Sequence, residues 1–457
     1  MPKAETYARL LALLDEDEVV ADAGSLLGDQ RGRYAGRAEC VLKPKSRESV
    51  QTIMRFCTEH RIPVTPQGGN TGLCGGAVPD GGVLLNLGAL NRIRSVGLAD
   101  NVITVEAGCI LQNVQEEAGK HDRLFPLSLA SEGSCQIGGN IACNAGGLNV
   151  LRYGTMRDLV VGLELVLPDG ELVEHLSPLH KNTTAYDLRH LFIGSEGTLG
   201  IITAATLKLF ALPKTVQTAW VGLESIEQAV KLLTVVQGRF AERLCSFELV
   251  SRFALELSSS FSKLPEPADA PWHILLELAD ADEECDWADA LAECLFGHGF
   301  ENAVLAQSES ERALFWRLRE NISAAQRHLG ASIKHDIAVP IAEVSRFVRQ
   351  TEKALTAVYK DMNIVVFGHL GDGSLHYNTF LPQVLDKEVY RFEDGINRIV
   401  YENVLACGGT IAAEHGIGQV KKHWLPAVRT EAEIALMRAI KAQLDPLGIM
   451  NPGKLLP

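Results

Sequence analysis

The sequence predicts an α+β protein of two domains, on three observations. The chain has 457 residues, more than one ordinary core organises, and 46% of them are hydrophobic, enough to fill more than one. Its first half carries two glycine-dense loops and short β-branched segments, without the regular strand–helix alternation of a parallel sheet. After Pro213 strand-like and helix-like segments do alternate, which predicts a second, mixed sheet with helices packed on it. The domains are therefore expected at 1–212, completed by the tail 430–457, and at 213–429.

Taken in order, the opening MPKAETYARLLALLDEDEVV has helical periodicity interrupted by acids. PVTPQGGNTGLCGG (63–76) and SEGSCQIGGNIACNAGGLNVLRYG (131–154) are the two glycine-dense loops, with short strands expected between them in VLLNLGALNRIRSV and NVITVEAGCI. VVGLELVLPDGELV (160–173) reads as a hairpin around Asp169-Gly170, and LFIGSEGTLGIITAATLKLF (191–210) as a glycine turn followed by a strand. In the second half, TAWVGL and WHILLELA read as strands, each leading towards a helix (SIEQAVKLLTVVQGRF and DEECDWADALAECLFGHG). SSSFSKLPEPADAP (258–271) reads as a polar, proline-rich loop. A helix is expected from about Asp386 to Ala406, stopped by Gly408-Gly409. The tail GIMNPGKLLP is loop-like and apolar, so it should dock rather than dangle.

Composition excludes several functions. A net charge of −14 argues against a nucleic-acid partner and requires a local cationic pocket for any anionic substrate. The opening segment does not read as a secretory signal, and no stretch has the apolar length of a membrane span. The 10 cysteines are scattered, with no CxxC pair, which predicts reduced thiols and a cytoplasmic protein, with peripheral membrane association left open.

The most chemically informative stretch is FGHLGDGSLHYN (367–378), followed downstream by Glu414-His415. If Asp372-Gly373 form a two-residue hairpin turn, His369 faces His376, and Asn378 follows on the same side. Directly opposed residues have Cβ atoms about 5 Å apart, so two imidazoles can share one metal ion. A carboxylate such as Glu414 would make a third ligand and leave the open position that catalytic zinc uses. Nitrogen-plus-oxygen sites also accept manganese, cobalt or iron. Adjacent strand residues point to opposite sides, and glycines follow at 416 and 418, so either Glu414 or His415 could be aimed inward.

Glycine loops bring backbone N–H groups close to phosphates, but neither loop here has the strand–GxGxxG–helix arrangement, and GxxxxGK[ST] does not occur. Instead, PVTPQGGNTGLCGG, the SEG…IGGN…NAGG…YG block, LFIGSEGTLGIIT and the terminal MNPGK together resemble the FAD-binding fold of vanillyl-alcohol-oxidase-type flavoproteins, also called p-cresol-methylhydroxylase-type. The hairpin half is similar to the substrate cap of their D-2-hydroxyacid dehydrogenase branch. The match runs from about Tyr34 to Lys454.

The resemblance implies an α+β fold with a two-part FAD-binding domain and a mixed-sheet cap. It implies that Pro66, Gly68, Gly69, Asn70, Thr71 and Gly72 embrace the FAD pyrophosphate. Ser131, Gly133, Gly138, Asn144, Gly146, Gly147 and Gly154 would line the flavin and its ribityl chain. Glu196, Gly197 and Ile202 would lie towards the adenosine, and Asn451 beside the isoalloxazine. Relatives that attach FAD covalently through the first loop have a histidine where this chain has Asn70, so noncovalent FAD is expected.

For the cap, the resemblance implies His369, His376 and Glu414 as metal ligands, zinc first, and His415 as general base. Arg319 and Ser323, four apart on an expected helix, with Lys334 and Asn378, would face the substrate. Related sequences more often have threonine where this chain has Ser323. Two cations beyond the metal exceed what a monocarboxylate needs, so a dicarboxylate such as D-2-hydroxyglutarate or D-malate is expected, with hydride passing to flavin N5. D-lactate or glycolate oxidation, a flavoprotein subunit of a larger electron-transfer complex, and oxygen-dependent oxidation of an uncharged alcohol are the competing readings. An external acceptor (an electron-transfer flavoprotein or a quinone) and a homodimer are further implications of the resemblance.

Overall fold

The computed structural model describes residues 3–283 and 286–457. The chain divides into two compact units: 1–146, 154–212 and 414–457 form the first, 147–153 and 213–413 the second. The final segment of unit 1 thus begins at 414, whereas composition suggested 430, and Gly147–Tyr153 belongs with unit 2.

Unit 1 contains a small parallel sheet that the sequence did not reveal. Strands Cys40–Leu42 and Val64–Gln67 flank Val83–Asn86, both pairings parallel, and the helix Arg47–Glu59 makes the crossover. Three- and four-residue strands are too short to show a period, and of these elements only Val83–Asn86 lies in a segment read as a strand. Ser46 caps that helix by accepting from the Ser49 N–H, and its apolar positions Val50, Ile53, Met54 and Cys57 are buried at helical spacing. A five-stranded antiparallel sheet follows, in the order Ile93–Gly97, Val102–Glu106, Ile201–Lys208, Val160–Val166, Leu172–His175. Its last two strands form the expected hairpin, with Gly170 in a left-handed turn at φ 83°.

Unit 2 is built on a seven-stranded sheet, in the order Ala303–Leu305, Thr215–Leu223, Trp272–Asp280, Leu244–Ser251, Asn363–His369, Ser374–Phe380, Ile333–Ala338. Every pairing in it is antiparallel, where a mixed sheet was expected. The helix Ile226–Phe240 does connect two strands running the same way, but Trp272–Asp280 inserts between them. A strand–helix pattern in the sequence reports direction, not adjacency.

The helices Arg252–Ser262 and Glu309–Glu320 cover this sheet over Trp220, Val250, Leu275, Phe315, Leu318, Phe367 and Phe380, all buried. Each such side chain contributes about 1.5–3 kcal/mol by leaving water. The first of these helices corrects the reading of 258–271 as loop, because it runs on to Ser262 and stops at Lys263 in the left-handed region. Ser258 is buried, with its hydroxyl donating to the Leu318 carbonyl at 2.6 Å, so a serine run that looks solvated ties two helices together. The expected helix at 386–406 opens as a 3-10 turn, Asp386–Phe392, before Glu393–Ala406.

Candidate functional site

The hairpin 363–380 differs from the sequence expectation in its register. Phe367 faces His376, and a four-residue connection (370–373) replaces the two-residue turn. Ser374 N–H donates to Asp372 Oδ1, an Asx-type closure that uses a longer loop. His369 is therefore opposite Glu248 of the central strand Leu244–Ser251, not opposite His376. The two imidazoles are nonetheless neighbours, with ring centroids 5.8 Å apart, because residues two apart on a strand share a face.

The same rule of alternation assembles a polar row on one face of unit 2. Glu248 faces His369; Phe367 faces His376, which faces Asp336; Asn378 faces Lys334. Glu248 is fully buried: its Oε1 accepts from His369 Nδ1 at 2.8 Å, and its Oε2 accepts from Arg319 Nε at 2.9 Å and is ion-paired with Nη2 at 2.7 Å. Burial pushes the Glu248 carboxyl up, but the charges of His369 and Arg319 and their hydrogen bonds outweigh it, so it lies below the usual range. An ionised carboxylate only accepts, so the His369 nitrogen that faces it, Nδ1, carries a proton. The Arg319 guanidinium lies over the Phe367 ring at 4.9 Å. Asn378 Nδ2 donates to Gln326 Oε1 at 2.8 Å.

Ser323 is placed differently from Arg319. The helix carrying Arg319 ends at Glu320, and Ser323 belongs to the separate short helix Ile322–Ala325, where it is exposed. The break falls at Asn321, whose Nδ2 donates to Ser262 Oγ at 2.9 Å. Periodicity across 311–325 treats the two helices as one and cannot show that interruption.

Glu414 and His415 continue the chain directly from Ala413, the last residue of unit 2. Asp336 and His376, facing each other on neighbouring strands of unit 2, and Glu414 and His415, at the start of the last segment of unit 1, are carboxylates and imidazoles that can each offer a ligand atom. Two carboxylates and two imidazoles form a nitrogen–oxygen donor set suited to Zn²⁺, Mn²⁺, Co²⁺ or Fe²⁺. Asp336 and Glu248 were missed in the sequence. Asp336 shares a strand face with Lys334 in IKHDIA, and Glu248 is a lone acid in the buried run LCSFELVS, so both had signals.

In unit 1 the sequence-selected residues cluster around loops that follow strands. Pro66 lies in Val64–Gln67, and Gly68–Gly72 form the loop beyond it. A Cβ on Gly69 would come within 2.1 Å of the Ser134 carbonyl, so the first loop is pressed against the turn holding Ser131 and Gly133. A Cβ at Gly72 or Gly139 would meet nothing within 4 Å, leaving backbone exposed to open space. Thr71 stands between Asn70 and Gly72 in that loop. Gln136 Oε1 and Asn451 Oδ1 are buried without a hydrogen-bond partner among the described residues. A glycine cradle with orphaned buried polar atoms suits a dinucleotide cofactor.

Four of the selected residues, Asn70, Asn144, Glu196 and Asn451, take φ between 43° and 54° although none is glycine. Such backbone is favoured for asparagine and costs a glutamate about 1–2 kcal/mol. Asn144 caps the helix Ile137–Cys143, and its Oδ1 accepts from the Arg157 N–H at 2.9 Å. Gly138 lies within that helix, where a Cβ would press on Ala107 at 2.7 Å. Gly146 ends one segment of unit 1 and Gly154 begins the next, while Gly147 falls in unit 2. Gly197 packs on Pro66, and Ile202 is buried in Ile201–Lys208. The Glu196 carboxylate, expected near an adenosine, accepts from the Ile417 and Gly418 N–H groups.

Two family models match the chain. One described as FAD binding domain covers residues 38–175, and one described as FAD linked oxidases, C-terminal domain, covers 212–455. The mitochondrial D-2-hydroxyglutarate dehydrogenase of Danio rerio is 37% identical over 427 residues, spanning 92% of this chain and 79% of that protein. The D-2-hydroxyglutarate dehydrogenase of Stutzerimonas stutzeri is 36% identical over 455 residues, spanning 98% of this chain and 97% of that one. Among solved structures, p-cresol methylhydroxylase with substrate bound superposes with a TM-score of 0.76 at 17% identity, over 99% of this chain and 96% of that one, a likeness of fold. The cytoplasmic expectation is corrected by the mitochondrial name of the Danio rerio relative. Scattered thiols indicate a reducing environment and do not distinguish one reducing compartment from another. Among the described residues no helix is long and apolar enough to cross a membrane.

Proposed function

The chain belongs to the FAD-linked oxidase family, and from that premise we propose that it oxidises a D-2-hydroxy dicarboxylate, D-2-hydroxyglutarate or D-malate, to the 2-oxoacid. The observation that carries this reading is the row on one sheet face holding Lys334, Asp336, His376 and His369, with Arg319 of the helix Glu309–Glu320 joined to His369 through Glu248. In this reading unit 1 binds FAD without a covalent link, and unit 2 binds the substrate.

FAD, when bound, supplies a two-electron acceptor for the C2 hydride, and a divalent metal, zinc first, supplies a Lewis acid for the hydroxyl and C1 carboxylate oxygens. His369, His376 and Glu414 would hold the metal, with Asp336 as a neighbouring oxygen donor. His415 takes the hydroxyl proton. Lys334 and Arg319 hold the distal carboxylate. Arg319 directs Nε and Nη2 at Glu248 and leaves Nη1 without a partner among the described residues, available to an anion. Asn378 and Ser323 complete the substrate contacts in this reading. Electrons leave to an external acceptor, a soluble flavoprotein or a quinone, and the active form is a homodimer.

Anaerobic flavin bleaching by D-2-hydroxyglutarate, D-malate, D-lactate and glycolate, before and after chelation, tests the reading. Rapid bleaching by a dicarboxylate, lost with chelator and restored by zinc or manganese, supports it. Faster bleaching by lactate or glycolate would reject the dicarboxylate assignment.

A further inference from the structure

Glu248 is the point at which His369, the metal ligand of the proposed function, and Arg319, its substrate cation, meet. It sits in the middle of the Leu244–Ser251 strand, directly opposite His369, and is wholly removed from water. One oxygen serves the imidazole at 2.8 Å and the other serves the guanidinium at 2.9 and 2.7 Å. We infer that Glu248 is a positioning residue that sets, with a single carboxylate, both the tautomer of His369 and the aim of Arg319. The inference rests on the proposed function, in which His369 ligates the metal.

The chemistry is specific because both partners are donors. Nδ1–H of His369 and the N–H groups of Arg319 each require an acceptor, and only a carboxylate offers one on both sides. A glutamine has the same shape but presents one oxygen and one NH₂. The permanent charge of Arg319 claims the oxygen, because a buried guanidinium without an acceptor is the costlier fault. The NH₂ then faces His369 and draws its ring to the other tautomer, with the proton on Nε2, where it cannot ligate. The guanidinium is buried and lies 4.9 Å over the Phe367 ring, so swinging aside to release the oxygen would give up that packing.

The test measures Zn²⁺ affinity of the full-length, flavin-loaded protein by competition with a chromophoric chelator, with flavin content and melting temperature recorded for every variant. Glu248→Gln is expected to lower zinc affinity about 10- to 100-fold, the usual effect of losing a carboxylate partner of a ligating histidine. Adding Arg319→Met to it frees the amide to turn its oxygen towards His369, and affinity should return to within a few-fold of the Arg319→Met single variant. Should Glu248→Gln fail to fold, Glu248→Met/Arg319→Met, which buries neither charge, replaces it and should bind zinc about 10- to 100-fold more weakly than Arg319→Met. Unchanged zinc affinity in Glu248→Gln, or the same loss with and without Arg319, overturns the inference if His369→Ala still abolishes tight zinc binding. If His369→Ala itself binds zinc normally, the ligand set of the proposed function fails, and the inference falls with it.

Discussion

The carboxylate of Glu196 accepts the backbone N–H groups of both Ile417 and Gly418, at 2.7 Å each, so a residue of one glycine turn anchors the segment directly behind Glu414 and His415. Glu196 is itself held in place: Asn451 Nδ2 donates to its carbonyl at 2.8 Å. Burial raises its carboxyl above the usual range, and the two N–H groups and the Lys421 charge only partly offset this.

Removing that anchor should therefore disturb chemistry before it disturbs flavin binding. Glu196→Ala leaves two amide donors unsatisfied, worth about 3 kcal/mol together. The melting temperature should fall by several degrees, and turnover with a dye acceptor should fall at least 10-fold as Glu414 and His415 lose their fixed backbone. Calorimetry and steady-state kinetics on the same preparation would check both. Full turnover with a lowered melting temperature would mean that the anchor is structural only.

His376 is flanked on its sheet face by Asp336 and, one ring away, by His369. His376→Ala should abolish metal-dependent turnover while leaving the flavin spectrum intact, because the glycine cradle belongs to unit 1. Metal analysis beside the absorbance spectrum decides the matter, and loss of flavin would contradict separate sites.

Lys334 pairs with Asn378 across the strand edge and stands on the Asp336 side of the row. A charged hydrogen bond to a distal carboxylate is worth about 1.5–3 kcal/mol, so Lys334→Ala should weaken kcat/KM for D-2-hydroxyglutarate by about 10- to 150-fold. D-lactate, which has no distal carboxylate, should change by much less. Equal losses on both substrates would remove Lys334 from that role.

His273 offers a test by acid. The Trp220 indole N–H donates to its Nδ1 at 3.2 Å, which requires that nitrogen to be unprotonated. Burial is the main cause of its depressed pKa, which lies at about 4 against an ordinary value near 6.5. The unfolded chain therefore takes up the proton first as pH falls. This contribution to stability is whole above pH 6.5 and is lost progressively as pH falls towards 4, by up to about 3 kcal/mol. Denaturant melts of wild type and His273→Phe between pH 4 and 7.5 should show the wild type losing stability more steeply. Parallel curves would show that His273 does not carry the effect.

The flavin half was the more legible part of the sequence, because its signals are local. Glycines at 68, 69 and 72 and asparagines at 70 and 451 announce unusual backbone wherever they occur, and the structure bends at the latter two. The hairpin histidines were legible as neighbours because a short turn brings its flanking strands together, although the register that puts them side by side is not the one expected. The small parallel sheet of unit 1 stayed hidden because its strands are too short to carry a period.

Composition and motif order by themselves determined two domains, a glycine cradle for a dinucleotide, and histidines with carboxylates near a tight turn. Only the tertiary structure decided which groups meet. It shifted the hairpin register so that His376 faces Phe367 and Asp336, placed Glu248 between His369 and Arg319, and separated Ser323 from the Arg319 helix. Register and strand order are set by how whole faces bury against their neighbours, and residues 71 apart in sequence, such as Glu248 and Arg319, leave no periodic trace of the contact they make.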